Sequence, residues 1–118
     1  MAKVLIVDDD RTTVQLLKTL LELDGFEIDS VSAGAEVFDK AMAFQPDVFL
    51  MDYHLSDMDG VDVLRDLRAE GPFVDTPIVI ASGLDVGDEV MEAGANAFLV
   101  KPFEPDELPR LFNELIGE

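Results

Sequence analysis

Apolar and polar positions along this chain follow two alternating rhythms. Five short, apolar-rich runs read as strands: KVLIV (3–7), FEIDSV (26–31), DVFLM (47–51), PIVIA (77–81) and NAFLV (96–100). Four are rich in Val, Ile or Phe, and three are apolar almost throughout, the pattern of parallel strands buried on both faces. Between them, apolar residues return every three or four positions, as on one face of a helix. Val14, Leu17 and Leu21 form such a stripe, with Leu16, Leu20 and Leu23 beside it and Gly25 as a stop. Val37, Phe38, Ala41 and Met42 form a second, and Val61, Leu64 and Leu67 a third, ended by Gly71. Leu108, Leu111, Phe112, Leu115 and Ile116 form the last. The fourth helical segment, LDVGDEVMEAG (84–94), is short and carries Gly87. Pro109 sits where the fifth helix should already run. Asp106 as N-cap would put Pro109 in the first turn, so that helix is expected to begin near Asp106 or Glu107, after irregular backbone at 104–107.

Strand and helix alternating five times predict a single α/β domain with a parallel sheet covered by helices on both faces. Right-handed crossovers leave few topologies. For five strands the expectation is the flavodoxin-like (βα)5 order 2-1-3-4-5, with its switch point between strands one and three.

Composition narrows the class. With 118 residues, 48% of them apolar, the chain suits one domain with a proper core. It has no Cys, which removes disulfides and thiolate chemistry and fits a reducing cytoplasm. No stretch approaches the ~20 apolar residues of a membrane span, so a soluble, cytoplasmic protein is expected. Acids outnumber bases 26 to 8, for a net charge of −18. Such a surface repels phosphate backbones, and direct nucleic-acid binding is not expected. Much of this acidity is explained by solvated helix faces; the acids that matter lie elsewhere.

They lie at the strand ends, where sheets of this kind bind their ligands. Asp8, Asp9 and Asp10 follow strand one, Asp52 follows strand three, Ser82 strand four and Lys101 strand five. Singly, each has a plain reading: an Asp after a strand is a helix cap or turn former, Ser82-Gly83 a turn, Lys101 a solvated lysine. Together they gather carboxylates, a hydroxyl and an amine on one edge. Crowded carboxylates repel one another, which raises a pKa or demands a cation. Oxygen ligands without Cys favour a hard ion, and few carboxylates favour Mg²⁺ over Ca²⁺. A carboxylate left over can attack phosphorus, with Lys101 and Ser82 on the phosphate oxygens. Asp52, alone on a central strand, is the candidate nucleophile.

In "VLIVDDD", "DVFLMDYHLSDMDG", "IVIASG" and "GANAFLVKPF" the chain resembles the receiver domains of two-component response regulators over essentially its whole length. The resemblance implies that Asp52 accepts a phosphoryl group from a sensor histidine kinase or phosphotransfer protein. It implies that Asp9 and Asp52 bind Mg²⁺ directly, with the His54 backbone carbonyl as a further ligand and Asp8 acting through water. Ser82 and Lys101 would bind the phosphate, Ser82 and Phe98 would form the switch that acts on a downstream protein, and the peptide before Pro102 would be cis. The whole chain, 1–118, would be one receiver domain without an output domain; both a stand-alone regulator and a domain cut from a longer protein stay open.

Three departures stand out. Ser56 occupies a position usually held by Pro, and the His54 side chain is left free. Eighteen residues separate Ser82 from Lys101, a few fewer than expected. The shortening must fall on the fourth helix, which puts a conventional output surface there in doubt. Two other readings compete with a switch that catalyses only its own phosphorylation and slow dephosphorylation. A haloacid-dehalogenase-like phosphatase would need an Asp where His54 stands and a cap domain. A phosphate-independent pseudo-receiver would leave the full site unused. Flavin binding is disfavoured by the acidic edge.

Overall fold

The computed structural model describes residues 2–69 and 71–117. Five strands, β1 (Lys3–Val7), β2 (Glu27–Val31), β3 (Val48–Asp52), β4 (Ile78–Ser82) and β5 (Ala97–Val100), pair in parallel in the order β2-β1-β3-β4-β5. Five α-helices connect or follow them: α1 (Arg11–Leu23), α2 (Val37–Phe44), α3 (Gly60–Ala69), α4 (Gly87–Glu92) and α5 (Leu108–Ile116). The expected topology is the observed one.

The period-two alternation of the strands sorts the core into two layers. Val4, Ile6, Val48, Leu50 and Val79 meet α1 and α5 through Leu17, Leu21, Leu108 and Phe112. Leu5, Val7, Phe49, Met51, Ile78 and Ile80 meet α2, α3 and α4 through Val37, Ala41, Val61, Leu64, Leu67 and Val90. Each large apolar side chain so enclosed stabilises the fold by about 1.5–3 kcal/mol relative to exposure.

Several boundaries differ from the expectation. β3 and β4 each run one residue further, so Asp52 and Ser82 are the last residues of their strands. Asp52 is in register with Ala81, and Ser82 with Val100. Sheet pairing is a main-chain property and does not stop where side chains turn polar. Before α5, Pro105–Glu107 forms a 3₁₀ turn and the helix begins at Leu108. Irregular backbone is therefore where it was expected, but Asp106 is not the cap: Glu107 precedes the helix and makes no side-chain capping bond. Two stripes are narrower than their sequence suggests. In α1, Leu17 and Leu21 are buried while Leu16, Leu20 and Leu23 face out, and in α2 Val37 and Ala41 are buried while Phe38 and Met42 are exposed. A one-residue step turns about 100° around a helix, past the face that a flat sheet can cover. α4 has six residues, as short as its segment implied.

Candidate functional site

Strand parity aims the carboxylates. Ile6 and Leu50 point to the α1/α5 layer, so Asp8 and Asp52, two residues further on, leave the strands on that same side. Tyr53, one step on, joins the opposite layer. Asp52 at the end of β3 and Tyr53 just past it thus serve an acidic edge and the opposite core face, respectively.

Backbone geometry divides the three consecutive acids. Asp10 is the N-cap of α1: its carboxylate accepts the N–H groups of Thr12 and Thr13 at 3.1 and 3.4 Å and the Thr13 hydroxyl at 2.9 Å. Those bonds, led by the Thr13 hydroxyl, hold its carboxyl below the usual aspartate range. The plain reading of an Asp after a strand is met by Asp10, leaving Asp8 and Asp9 for other work. Asp8 is buried and accepts the Asp10 N–H at 2.9 Å. Burial pushes its carboxyl upward, opposed by that hydrogen bond and reinforced by the charge of Asp52.

Among the described residues, Asp8, Asp9 and Asp52 bring one carboxylate oxygen each within 4.8 Å of one another. The Lys101 ammonium lies 3.0 Å from Asp52 Oδ1 and 3.9 Å from Asp8 Oδ2. Three carboxylates facing one ammonium leave the edge two charges short of neutral, and hard oxygen donors are the set a divalent cation such as Mg²⁺ takes. The fit is chemical: an oxygen-only cluster, partly buried and under-compensated. Lys101 is anchored by its own N–H, which donates to Ser82 O at 2.9 Å, and the following peptide to Pro102 is cis. Ser82 is buried, and its hydroxyl oxygen accepts the Leu84 N–H at 3.0 Å, leaving the hydroxyl proton to donate.

The segment after Asp52 folds into a closed loop. The Gly60 N–H donates to Tyr53 O, Leu55 N–H donates to Met58 O at 3.2 Å, and His54 bridges Asp59. Gly60 is required here, because a Cβ would collide with the carbonyl oxygen of Asp52. The His54 ring lies edge-on to Tyr53 and is exposed, with Nδ1 3.9 Å from Asp59. Phe98, half-buried on β5, packs over Gly87 at the start of α4; a Cβ there would come within 3.1 Å of its ring.

Three features lie beyond what the sequence indicated. The Asp57 carboxylate accepts the N–H groups of Gly34 and Ala35 at 2.8 and 3.0 Å. The Tyr53 hydroxyl donates to Glu89 on α4. Arg68 donates to the carbonyls of Gly94, Phe73 and Thr76 and to Asn96. No local spacing signals these, since most of the partners are distant in the chain and many are main-chain groups.

With this geometry in view, the similarities to known proteins are consistent. Residues 4–113 match the family model described as the response regulator receiver domain. The cell cycle transcriptional regulator CtrA of Caulobacter vibrioides is 36% identical over 109 residues, covering 90% of this chain and 46% of that protein. This chain spans about half the length of the curated relatives it matches. The receiver domain of the Francisella response regulator 1452 superposes with a TM-score of 0.92 at 32% identity, covering 99% of this chain and 98% of the other. The receiver domain of sensor histidine kinase PA1611 from Pseudomonas aeruginosa, with a magnesium ion coordinated in its active-site cleft, superposes with a TM-score of 0.88 at 28% identity, covering 99% of this chain and 98% of that one.

Proposed function

Because this chain belongs to the response regulator receiver domains, we propose that it is a phosphorylation-controlled signalling switch whose acceptor is Asp52. The observation that carries this reading is the meeting of Asp8, Asp9, Asp52 and Lys101 at one sheet edge. Asp9 and Asp52 would hold Mg²⁺ with the His54 carbonyl, and Asp8 would act through water. When bound, the ion supplies the positive charge that offsets crowded oxygens during phosphoryl transfer.

The chain's own residues account for the rest. Sheet pairing holds the Asp52 backbone rigid, so its carboxylate is positioned before any donor arrives. A carboxylate oxygen forms a bond to phosphorus as the phosphorus–nitrogen bond of a donor phosphohistidine breaks. The bonding pair leaves with the imidazole of the histidine kinase or phosphotransfer protein. Lys101 passes from the carboxylate oxygen to a phosphate oxygen, and the Ser82 hydroxyl donates to another. The product carries about 1.5–2 negative charges in place of one. Movement of Ser82 towards it frees the space into which Phe98 turns, and Phe98 already bears on the first residue of α4. The output is a changed protein surface near β4, β5 and α4.

Stoichiometry tests this reading. Incubated with Mg²⁺ and either acetyl phosphate or p-nitrophenyl phosphate, the protein should take up at most one phosphoryl group per chain from the former. It should release no sustained p-nitrophenol from the latter. Steady turnover of the monoester that depends on Asp52 would make the protein a phosphatase instead.

A further inference from the structure

The loop that carries His54 is closed at its base by main-chain bonds between Gly60 and Tyr53 and between Leu55 and Met58, while its tip, Ser56 and Asp57, is exposed. Asp57 is nevertheless not a solvated surface acid. Both its oxygens are spent on main-chain donors at the start of the 3₁₀ turn Gly34–Glu36, Oδ1 on Gly34 N–H at 2.8 Å and Oδ2 on Ala35 N–H at 3.0 Å. These charge-assisted bonds cross 23 and 22 residues of sequence.

The receiving side is fixed as well. A Cβ on Gly34 would lie 2.5 Å from Cγ and Sδ of Met58 and 3.0 Å from Val63. Met58, next to Asp57, therefore seats on the same glycine that Asp57 binds. Two neighbouring side chains clamp one turn, by packing and by hydrogen bonding. Ala35 and Ser56 also line the open groove, about 1000 Å³, that contains Asp8 and Asp9. Of the clamp, Ala35 therefore borders the groove beside Asp8 and Asp9.

We propose that Asp57 is a positioning residue for the metal site: by binding the Gly34 and Ala35 N–H groups it holds the 53–59 loop so that the His54 carbonyl is placed for Mg²⁺ before the ion arrives. This rests on the receiver reading given above. A loop ordered in advance loses no conformational freedom on coordination, and that freedom would otherwise be subtracted from metal affinity. The bonds from Ala35 and Gly34 also keep the Asp57 carboxyl below the usual aspartate range, so the clamp stays charged at neutral pH.

The test measures Mg²⁺ affinity by titration calorimetry for the wild type, Asp57→Ala, Asp57→Asn and Asp9→Asn, with the melting temperature of each taken alongside. Asp57→Ala should bind Mg²⁺ more weakly by on the order of 10-fold, the size of effect seen when groups that orient metal ligands are removed. Asp57→Asn, which keeps one acceptor oxygen, should fall between, and it serves as the test if the alanine variant does not fold. In acetyl-phosphate reactions the Mg²⁺ concentration for half-maximal rate should rise while the rate at saturating Mg²⁺ is retained. A variant that melts earlier yet binds Mg²⁺ like the wild type would overturn the proposal, since Asp57 would then only stabilise the fold. Loss of binding in Asp9→Asn places the ion at the acidic edge whichever way Asp57 behaves, so a failed Asp57 role is distinguishable from a failed metal site. A wild type that binds no Mg²⁺ would instead remove that reading itself.

Discussion

Asp8, Asp9 and Asp10 are adjacent in sequence and identical in chemistry, and what separates them is where the main chain turns. Asp10 closes a helix, Asp8 is pulled inward by strand parity, and Asp9 is left exposed beside it. Lys101 is the cation nearest this group and competes for the same oxygens that a metal would take. On the proposed reading Lys101 also serves the phosphate, and the two duties separate on substitution. Lys101→Gln should bind Mg²⁺ more tightly, because the competing ammonium is gone. The same change should slow phosphoryl acceptance by on the order of 10²-fold, as expected when one charged donor is lost from a transferring group. Titration calorimetry and a time course with acetyl phosphate would read the two effects, and movement of both in the same direction would contradict this account.

At the scale of elements, α4 is the unusual one. Six residues cannot hold a helix by their own hydrogen bonds, and this helix is braced from outside at both ends. Tyr53 donates to Glu89 near its start, and Arg68 reaches the Gly94 carbonyl just past its end while also binding the carbonyls of Phe73 and Thr76. Since Tyr53 directly follows Asp52, the proposed acceptor, the first brace ties the end of β3 to the helix that Phe98 packs against. Tyr53→Phe should destabilise the fold by about 1 kcal/mol and speed amide exchange within 87–92. The hydrogen bond to Glu89, aided by burial, pushes the Tyr53 hydroxyl up to about 12. Stability from this raised group is complete below its ordinary value of 10.0 and is lost as pH climbs through about 12. As the chain has one Tyr and no Trp, phenolate absorbance reports it alone; ionisation near pH 10 would contradict the brace. The short helix was legible from the Ser82–Lys101 spacing, but its braces were not, because they join residues 36 and 26 apart in the chain. The first turn of α5 was legible only as irregular: Pro109 shows where a helix resists starting, not which residue begins it.

For the whole molecule, short apolar runs alternating with period-3.6 stripes were enough to set the element order and strand topology, because a five-stranded parallel sheet allows few arrangements. The acidic edge was legible for the same reason, as topology places every strand end on one rim. What lay beyond reach was any pairing with main-chain atoms, such as Asp57 on Gly34 and Ala35, since no residue type marks the partner. A chain of net charge −18 that still draws three carboxylates together does so against its own repulsion. On the proposed reading this edge receives a phosphoryl group. Intact mass spectrometry after incubation with acetyl phosphate and Mg²⁺ tests it most directly, with Asp52→Asn and an EDTA-treated sample alongside. A gain of one phosphoryl group that disappears in both controls is expected; a folded, Mg²⁺-supplied protein that gains none, or an Asp52→Asn variant that gains one equally, would rule out Asp52 as the acceptor.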